Sequence, residues 1–219
     1  MKTIGMLTIR NEVDVVKEFL CDVEKYFDDI VVMDDSDDGT TEILREWGAR
    51  TGIIKYFVRF DDVYPAGTKR TDGTKQALLK YLQQNYPDGT WITNLNADAF
   101  FKDNPNDATV GAEAENATVI KWKSVDYLMS ASDKKQYDND AGNWLSLPVQ
   151  ERLKWFWEGD IFEYLQFKLH AAQYFNLNMH ARVRPLGTSE KCASFHPVLL
   201  HYPIRSPEQL LSRYQDRMK

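Results

Sequence analysis

Short apolar runs alternate with helically spaced apolar residues along the first hundred positions, and this alternation limits the fold more than any other feature. Ile4–Ile9 is apolar almost throughout, the pattern of a strand buried on both faces in the middle of a sheet. After Arg10-Asn11-Glu12, residues Val13, Val16, Phe19, Leu20 and Val23 recur at helical spacing, with Asn11 as the expected cap. Ile30–Met33 is a second strand, and a helix starts at Thr40 or Thr41. Gly52–Phe60 alternates as a third strand. Thr74–Gln84 follows as a helix with Ala77, Leu78, Tyr81 and Leu82 inward, and Trp91-Ile92-Thr93 with Leu95 makes a fourth strand. Strands alternating with helices predict an α/β chain with a mainly parallel sheet.

A length of 219 residues suits one domain with a sizeable core, its halves meeting near position 101. A net charge of −6 argues against a general nucleic-acid binder, because no basic excess is present to neutralise phosphates. Cys21 and Cys192 have no metal-ligand spacing and read as buried or incidental thiols in a reducing compartment, so a cytoplasmic location is expected. No apolar segment approaches the length of a membrane span, and the apolar start is too short for a signal sequence. One domain of a longer polypeptide is equally compatible with these features.

The strand ends carry the chemistry. In Trp91–Phe101 an apolar strand leads straight into Asn96-Ala97-Asp98. Two oxygen ligands with one residue between them can face the same side of an extended chain and share a divalent cation, with the other positions left to water and phosphate. Turn formation is the plainer alternative for both. The second strand runs into Asp34-Asp35-Ser36-Asp37-Asp38-Gly39-Thr40. This loop mimics the start of a calcium-binding EF-hand, but Arg45 stands where a bidentate Glu is required and a strand enters the loop, so calcium is set aside. Four carboxylates exceed what capping of the next helix needs, and at least one is expected to face a base or ribose. Lys69, Arg70 and Lys75 lie in or beside a loop at one end of the sheet, either as solvated charges or as cations for a diphosphate.

Taken together, Ile9-Arg10-Asn11-Glu12, the Asp34–Thr40 loop and LNADAFF resemble the successive landmarks of family 2 glycosyltransferases: an RNE-like start, a D-D-x-S-x-D-G-T loop and an L-D-A-D-E-type metal motif. The resemblance spans roughly the first half of the chain. It implies a GT-A-like (Rossmann-type) central sheet, mixed but mainly parallel and flanked by helices. It also implies sugar transfer from a nucleotide diphosphate donor to a glycan or other hydroxyl acceptor, most simply with inversion. Ile9, Arg10, Glu12 and Ala97 would line the nucleotide pocket, with Asp34 or Asp35 on the base and UDP favoured. Asp98 would hold Mn²⁺ or Mg²⁺. Two departures stand out, since Asn96 replaces the first acid of the metal motif and Ala99 its trailing acid. A neutral Asn96 is a weaker ligand. These departures keep alive a non-catalytic nucleotide-sugar or carbohydrate-binding module. A sugar nucleotidyltransferase is less favoured, because such enzymes open with a Gly-rich loop that IRNEVD lacks.

Beyond Phe101 a strand is expected at Ala117–Trp122, a mobile polar loop at Ser130–Pro148 and helix over much of Ile161–Phe175. Trp144, Trp155 and Trp157 read either as core or as sugar-stacking platforms. Asp160, with Glu158 behind it, is the candidate general base that the resemblance implies, against a simpler role for Asp160 as helix cap. Strands are expected at Met179–Arg184 and Phe195–His201, closing on His201-Tyr202-Pro203-Ile204-Arg205-Ser206-Pro207-Glu208-Gln209 and a helix. The resemblance extends to this ending, in which His201 would return to the metal and Arg205 would sit near the diphosphate, whereas His170, His180 and His196 read as structural.

Overall fold

The computed structural model describes residues 3–69, 71–176 and 185–217. The first half builds strands β1 (Thr3–Ile9), β2 (Asp29–Asp34), β3 (Ile54–Arg59), β4 (Trp91–Leu95) and β5 (Ala99–Phe101). Between them run helices α1 (Val16–Val23), α2 (Thr40–Thr51), the single turn α3 (Phe60–Val63) and α4 (Gln76–Asn85). The second half adds α5 (Pro105–Ala114), β6 (Val119–Leu128), α6 (Ala131–Asn139), α7 (Ala141–Ser146) and α8 (Val149–Arg152). It then supplies β7 (Trp155–Trp157), β8 (Phe162–Lys168), β9 (Val198–Ile204) and α9 (Pro207–Arg217).

The fold is mixed α/β around a curled nine-stranded sheet of order β3-β2-β1-β4-β8-β6-β9-β5, with β7 paired to β6. The first four strands in that order are parallel. The others mix directions: β8 is antiparallel to both β4 and β6, β9 parallel to β6, and β5 antiparallel to β9. Period-2 alternation sends Leu7, Ile9, Ile30 and Val32 into one core and Ile4, Met6, Val31 and Met33 into a second core on the opposite face. Both faces being buried explains the unbroken apolar runs in the sequence. Gly5 is required by close approach, because an added Cβ would lie 2.6 Å from Leu95 Cδ1.

Connectivity enforces the curl. In a flat sheet β4 and β5 would be separated by four inter-strand steps, about 19 Å. The four chain steps from Leu95 to Ala99 reach at most about 14 Å. Residues 96–98 therefore tie together the two ends of a five-strand arc.

Several expectations are corrected. Ile161–Phe175 is not largely helical, because β8 occupies Phe162–Lys168 with Leu165 in one core and Phe167 in the other. Aromatic residues favour strands, and their spacing here switches from two (Phe162, Tyr164) to three (Tyr164, Phe167), so it singles out neither period. Ser130–Pro148 is not a loop but contains α6 and α7, held by local caps. Ser130 and Asp133 form a reciprocal capping box, and the Asp140 side chain accepts from the Asn143 amide. Tyr137 and Trp144, two helical turns apart in sequence, anchor this region in the core. Asn11 caps no helix; α1 begins after Val15 without a side-chain cap. Strand β6 extends to Leu128, and the last strand begins at Val198. The strand expected at Met179–Arg184 and the residue His180 lie outside the described residues. Cys21 and Cys192 are free and exposed, not buried. No helix among the described residues is long and apolar enough to cross a membrane.

Candidate functional site

Two loops at the carboxyl ends of β1 and β2 are stitched together by side chains rather than by strand pairing. The Asn11 amide donates to Ser36 Oγ at 3.0 Å, the Glu12 amide to Thr40 Oγ1 at 3.0 Å and the Val13 amide to Asp38 Oδ2 at 3.1 Å. In return Asn11 Oδ1 accepts from the Asp37 amide at 2.9 Å. Asn11 holds a left-handed backbone, φ 52°, which asparagine tolerates better than most residues. Most of the hydroxyls and carboxylates of the acidic loop thus hold amides in place.

Asp34 and Asp35 divide their tasks. Asp34 is fully buried, accepting from Arg59 Nη1 at 2.5 Å, Thr41 Oγ1 at 2.6 Å and the Ser36 amide at 3.0 Å, and it serves the fold. Asp35 lies 3.9 Å from Arg10 Nη1, and both line a cavity of about 1110 Å³. Loops after β1, β2 and β3 form its walls, and Tyr137, Leu145 and α9 complete its rim. Tyr137 donates to Glu208, joining α6 to α9 across that rim. Glu12 and Lys69 also line the cavity; Ile9, Ala97 and Lys75 do not, and Arg70 lies outside the described residues.

Behind the cavity lies an ionic cluster in which four carboxylates meet two guanidiniums and one imidazole. Arg205, with no exposed surface, donates to Asp14 through Nε and Nη2 at 2.8 Å, to Glu12, and to the Tyr202 carbonyl at 3.1 Å. Arg213 bridges Glu12 Oε1 at 2.8 Å and Asp98 Oδ2 at 2.7 Å, and it also lines the cavity. His201 Nε2 stands 3.5 Å from Asp98 Oδ2, while its Nδ1 lies 2.9 Å from Asp126 Oδ1. Burial alone would raise the Asp98 pKa, but the His201 hydrogen bond and the charges of Arg213 and Arg205 hold it well below the usual carboxylate range. Burial would likewise depress His201, yet its hydrogen bonds to Asp126 and Asp98 push it up to about 10.

The expected metal ligands are only partly united. Asp98 and His201 face each other at a separation that two ligands of one divalent cation can span. Asn96 turns away and donates to Glu163 Oε2 at 3.2 Å. Among the described residues no group of three or more His, Cys, Asp and Glu could hold a metal ion. Asp98 and His201 thus form a pair of donors only, with Asp126 orienting the imidazole. Arg213 would have to release Asp98 for a cation to bind.

Glu158 and Asp160 do not line the cavity. They occupy the break between β7 and β8, where residues 158–161 face only Ser124 and Val125 of β6, a bulge of the kind that re-aims side chains. No helix starts there, so Asp160 caps nothing. Glu158 pairs with Lys123 Nζ at 2.6 Å, and that hydrogen bond lowers its pKa. Trp144 is core at 3% exposure, which removes it as a stacking platform.

The sequence reading overlooked Arg213, Asp126 and Asp14. Gln209 and Arg213 are four residues apart, the mark of one polar face on the closing helix. Ser124 and Asp126 lie two apart in a strand, which marks them as sharing a face.

No protein-family model matches the chain, and no curated protein matches it. Solved structures with a related backbone course include mouse xyloside xylosyltransferase 1 in its apo form. It is 12% identical, with 78% of this chain and 67% of that chain covered and a TM-score of 0.33. HddC from Yersinia pseudotuberculosis is 7% identical, with 99% and 100% covered and a TM-score of 0.41. The apo WbbM bifunctional glycosyltransferase is 10% identical, with 81% and 31% covered and a TM-score of 0.35. All three likenesses are distant, with TM-scores below 0.5.

Proposed function

We propose that the chain is a GT-A-like glycosyltransferase that moves a sugar from a nucleotide diphosphate donor, UDP-sugar by preference, to an acceptor hydroxyl. The observation that carries this is the junction of the strand-end cavity with the Asp98–His201 pair through Arg213, which lines the one and binds the other. A nucleoside fits between the β1 and β2 loops, where Asp35 and Glu12 offer acceptors and Arg10 a cation. Arg213 stands where a diphosphate would meet the cluster. Its guanidinium suits bidentate contact with phosphate oxygens and would stabilise charge as the sugar–phosphate bond breaks. Asp98 and His201 are the residues that would hold Mn²⁺ or Mg²⁺, which supplies further counter-charge to the leaving group when bound. Asp160 is the proposed base that takes the acceptor proton in an inverting transfer, because Lys123 ties up Glu158 and weakens it as a base.

Calorimetric titration of UDP and GDP, with and without Mn²⁺, on wild type and Asp98→Ala tests this. UDP is expected to bind, more tightly with Mn²⁺, and Asp98→Ala is expected to abolish the Mn²⁺ effect. Absence of nucleotide binding under every condition would sink the proposal. The short donor set, with Asn96 turned to Glu163, favours a second reading as a non-catalytic binding module. Release of free sugar from a UDP-sugar in the presence of Mn²⁺ separates the two.

A further inference from the structure

Strand β7 is short and apolar, yet Trp155, Phe156 and Trp157 are 55%, 51% and 50% exposed. Phe156 packs on Tyr127, 5.5 Å between ring centroids, and Tyr127 stacks on the buried Tyr202 at 4.8 Å. This contact anchors β7 to the sheet. Trp155 and Trp157 leave the opposite face, by the period-2 rule. In register, Trp157 pairs with Asp126, and Asp126 pairs with His201 on its other side. Paired residues share a face. The Trp157 indole therefore belongs to the same surface as the Asp126–His201–Asp98 chain, one strand away from it.

The indole is also seated. An added Cβ at Gly159 would lie 2.6 Å from Trp157 Cζ2 and 2.7 Å from Cζ3. Gly159 does not have a left-handed backbone, so its lack of a side chain serves the approach of the indole and not a strained turn. Asp126, paired with Trp157 in register and bonded by Ser124 Oγ, is a polar group on the same face as the flat apolar surface of the ring.

Resting on the transferase reading above, we infer that Trp155 and Trp157 form the acceptor subsite and bind a pyranose ring through its C–H face. A flat aromatic with hydrogen-bonding groups at its edge is complementary to a ring that is apolar on its faces and polar at its rim. Continuity of this surface with the Asp98–His201 pair selects a saccharide over an unrelated partner. Asp160, three residues beyond Trp157, lies in the same bulged segment as Gly159.

The test uses the whole chain and two probes, cellobiose and lactose, followed by saturation-transfer NMR and tryptophan fluorescence. Wild type, Trp157→Ala and Gly159→Ala are compared, with UDP titrated separately by calorimetry. At least one disaccharide is expected to bind wild type. Both variants should weaken it at least tenfold while leaving the melting temperature and UDP binding unchanged. Unchanged saccharide affinity in Trp157→Ala overturns the subsite while leaving the donor site intact, and so does failure of both probes to bind wild type. Saccharide binding lost in Trp157→Ala with no UDP binding in wild type supports the subsite and overturns the donor reading instead. Concentration-dependent self-association in ultracentrifugation that disappears in Trp157→Ala overturns the subsite in favour of an interface between copies of the chain.

Discussion

Strands β1 and β2 are closed to solvent on both faces, whereas β7, in the half built from mixed strands, keeps three aromatic side chains about half exposed. Near the first pair, loop side chains are largely consumed internally: Asp34 by Arg59 and Thr41, Asp38 by Thr40 and the Val13 amide, Thr40 by Glu12. Near β7 the aromatic surface faces outward. Under the proposed sugar transfer the contrast matches two different demands. A donor whose diphosphate must be held in one geometry needs walls already fixed by their own hydrogen bonds. An acceptor needs an accessible surface that it can approach and leave.

The strongest way to break this comparison is to cut the cluster that joins the halves. Arg205→Met leaves Glu12 and Asp14 without their buried partner, and a loss of about 3–5 kcal/mol in urea unfolding is expected. Arg152 provides the control, being equally deep at 3% exposure but with Nε, Nη1 and Nη2 lacking hydrogen-bond partners among the described residues. Arg152→Met should change stability by less than about 1 kcal/mol or raise it, because no bonded pair is broken. Equal losses in the two variants would mean that burial, not pairing, decides.

A smaller effect sharpens the view of the first half. Asp34→Asn removes the charge that neutralises Arg59 and is expected to cost about 2 kcal/mol. UDP affinity should fall less in that variant than in Asp35→Asn if Asp34 serves only the fold. A larger fall in Asp34→Asn would assign the base-contacting role to the buried carboxylate.

The same contrast explains what was legible in the sequence. Strands buried on both faces write themselves as unbroken apolar runs, so β1, β2 and β4 are found nearly to the residue. Strand β8 is hidden because Phe162 and Tyr164 keep strand spacing while Tyr164 and Phe167 keep helical spacing, and only its neighbours β4 and β6 decide between them. Helices α6 and α7 carry few apolar residues and owe their boundaries to the caps of Ser130 and Asp140. For the site, Asp98 and His201 are each named from their own segments, and the fold sets them 3.5 Å apart. Arg213 and Asp126 join them through tertiary pairing between distant segments, which no local pattern announces.

The tie between β4 and β5 has a consequence in time. Strand β9 is inserted between β6 and β5, so the pocket's rear wall joins residues as far apart as Asp98 and Arg213, 115 positions along the chain. Closing so long a loop is entropically slow, whereas β1, β2 and their helices need only local contacts. We predict that pulse-labelled hydrogen exchange during refolding will protect β1 and β2 amides before those of β9. Simultaneous protection would contradict this order. On this account a folding chain acquires the β1 and β2 loop walls of its cavity early but lacks the rear wall until its last strand arrives.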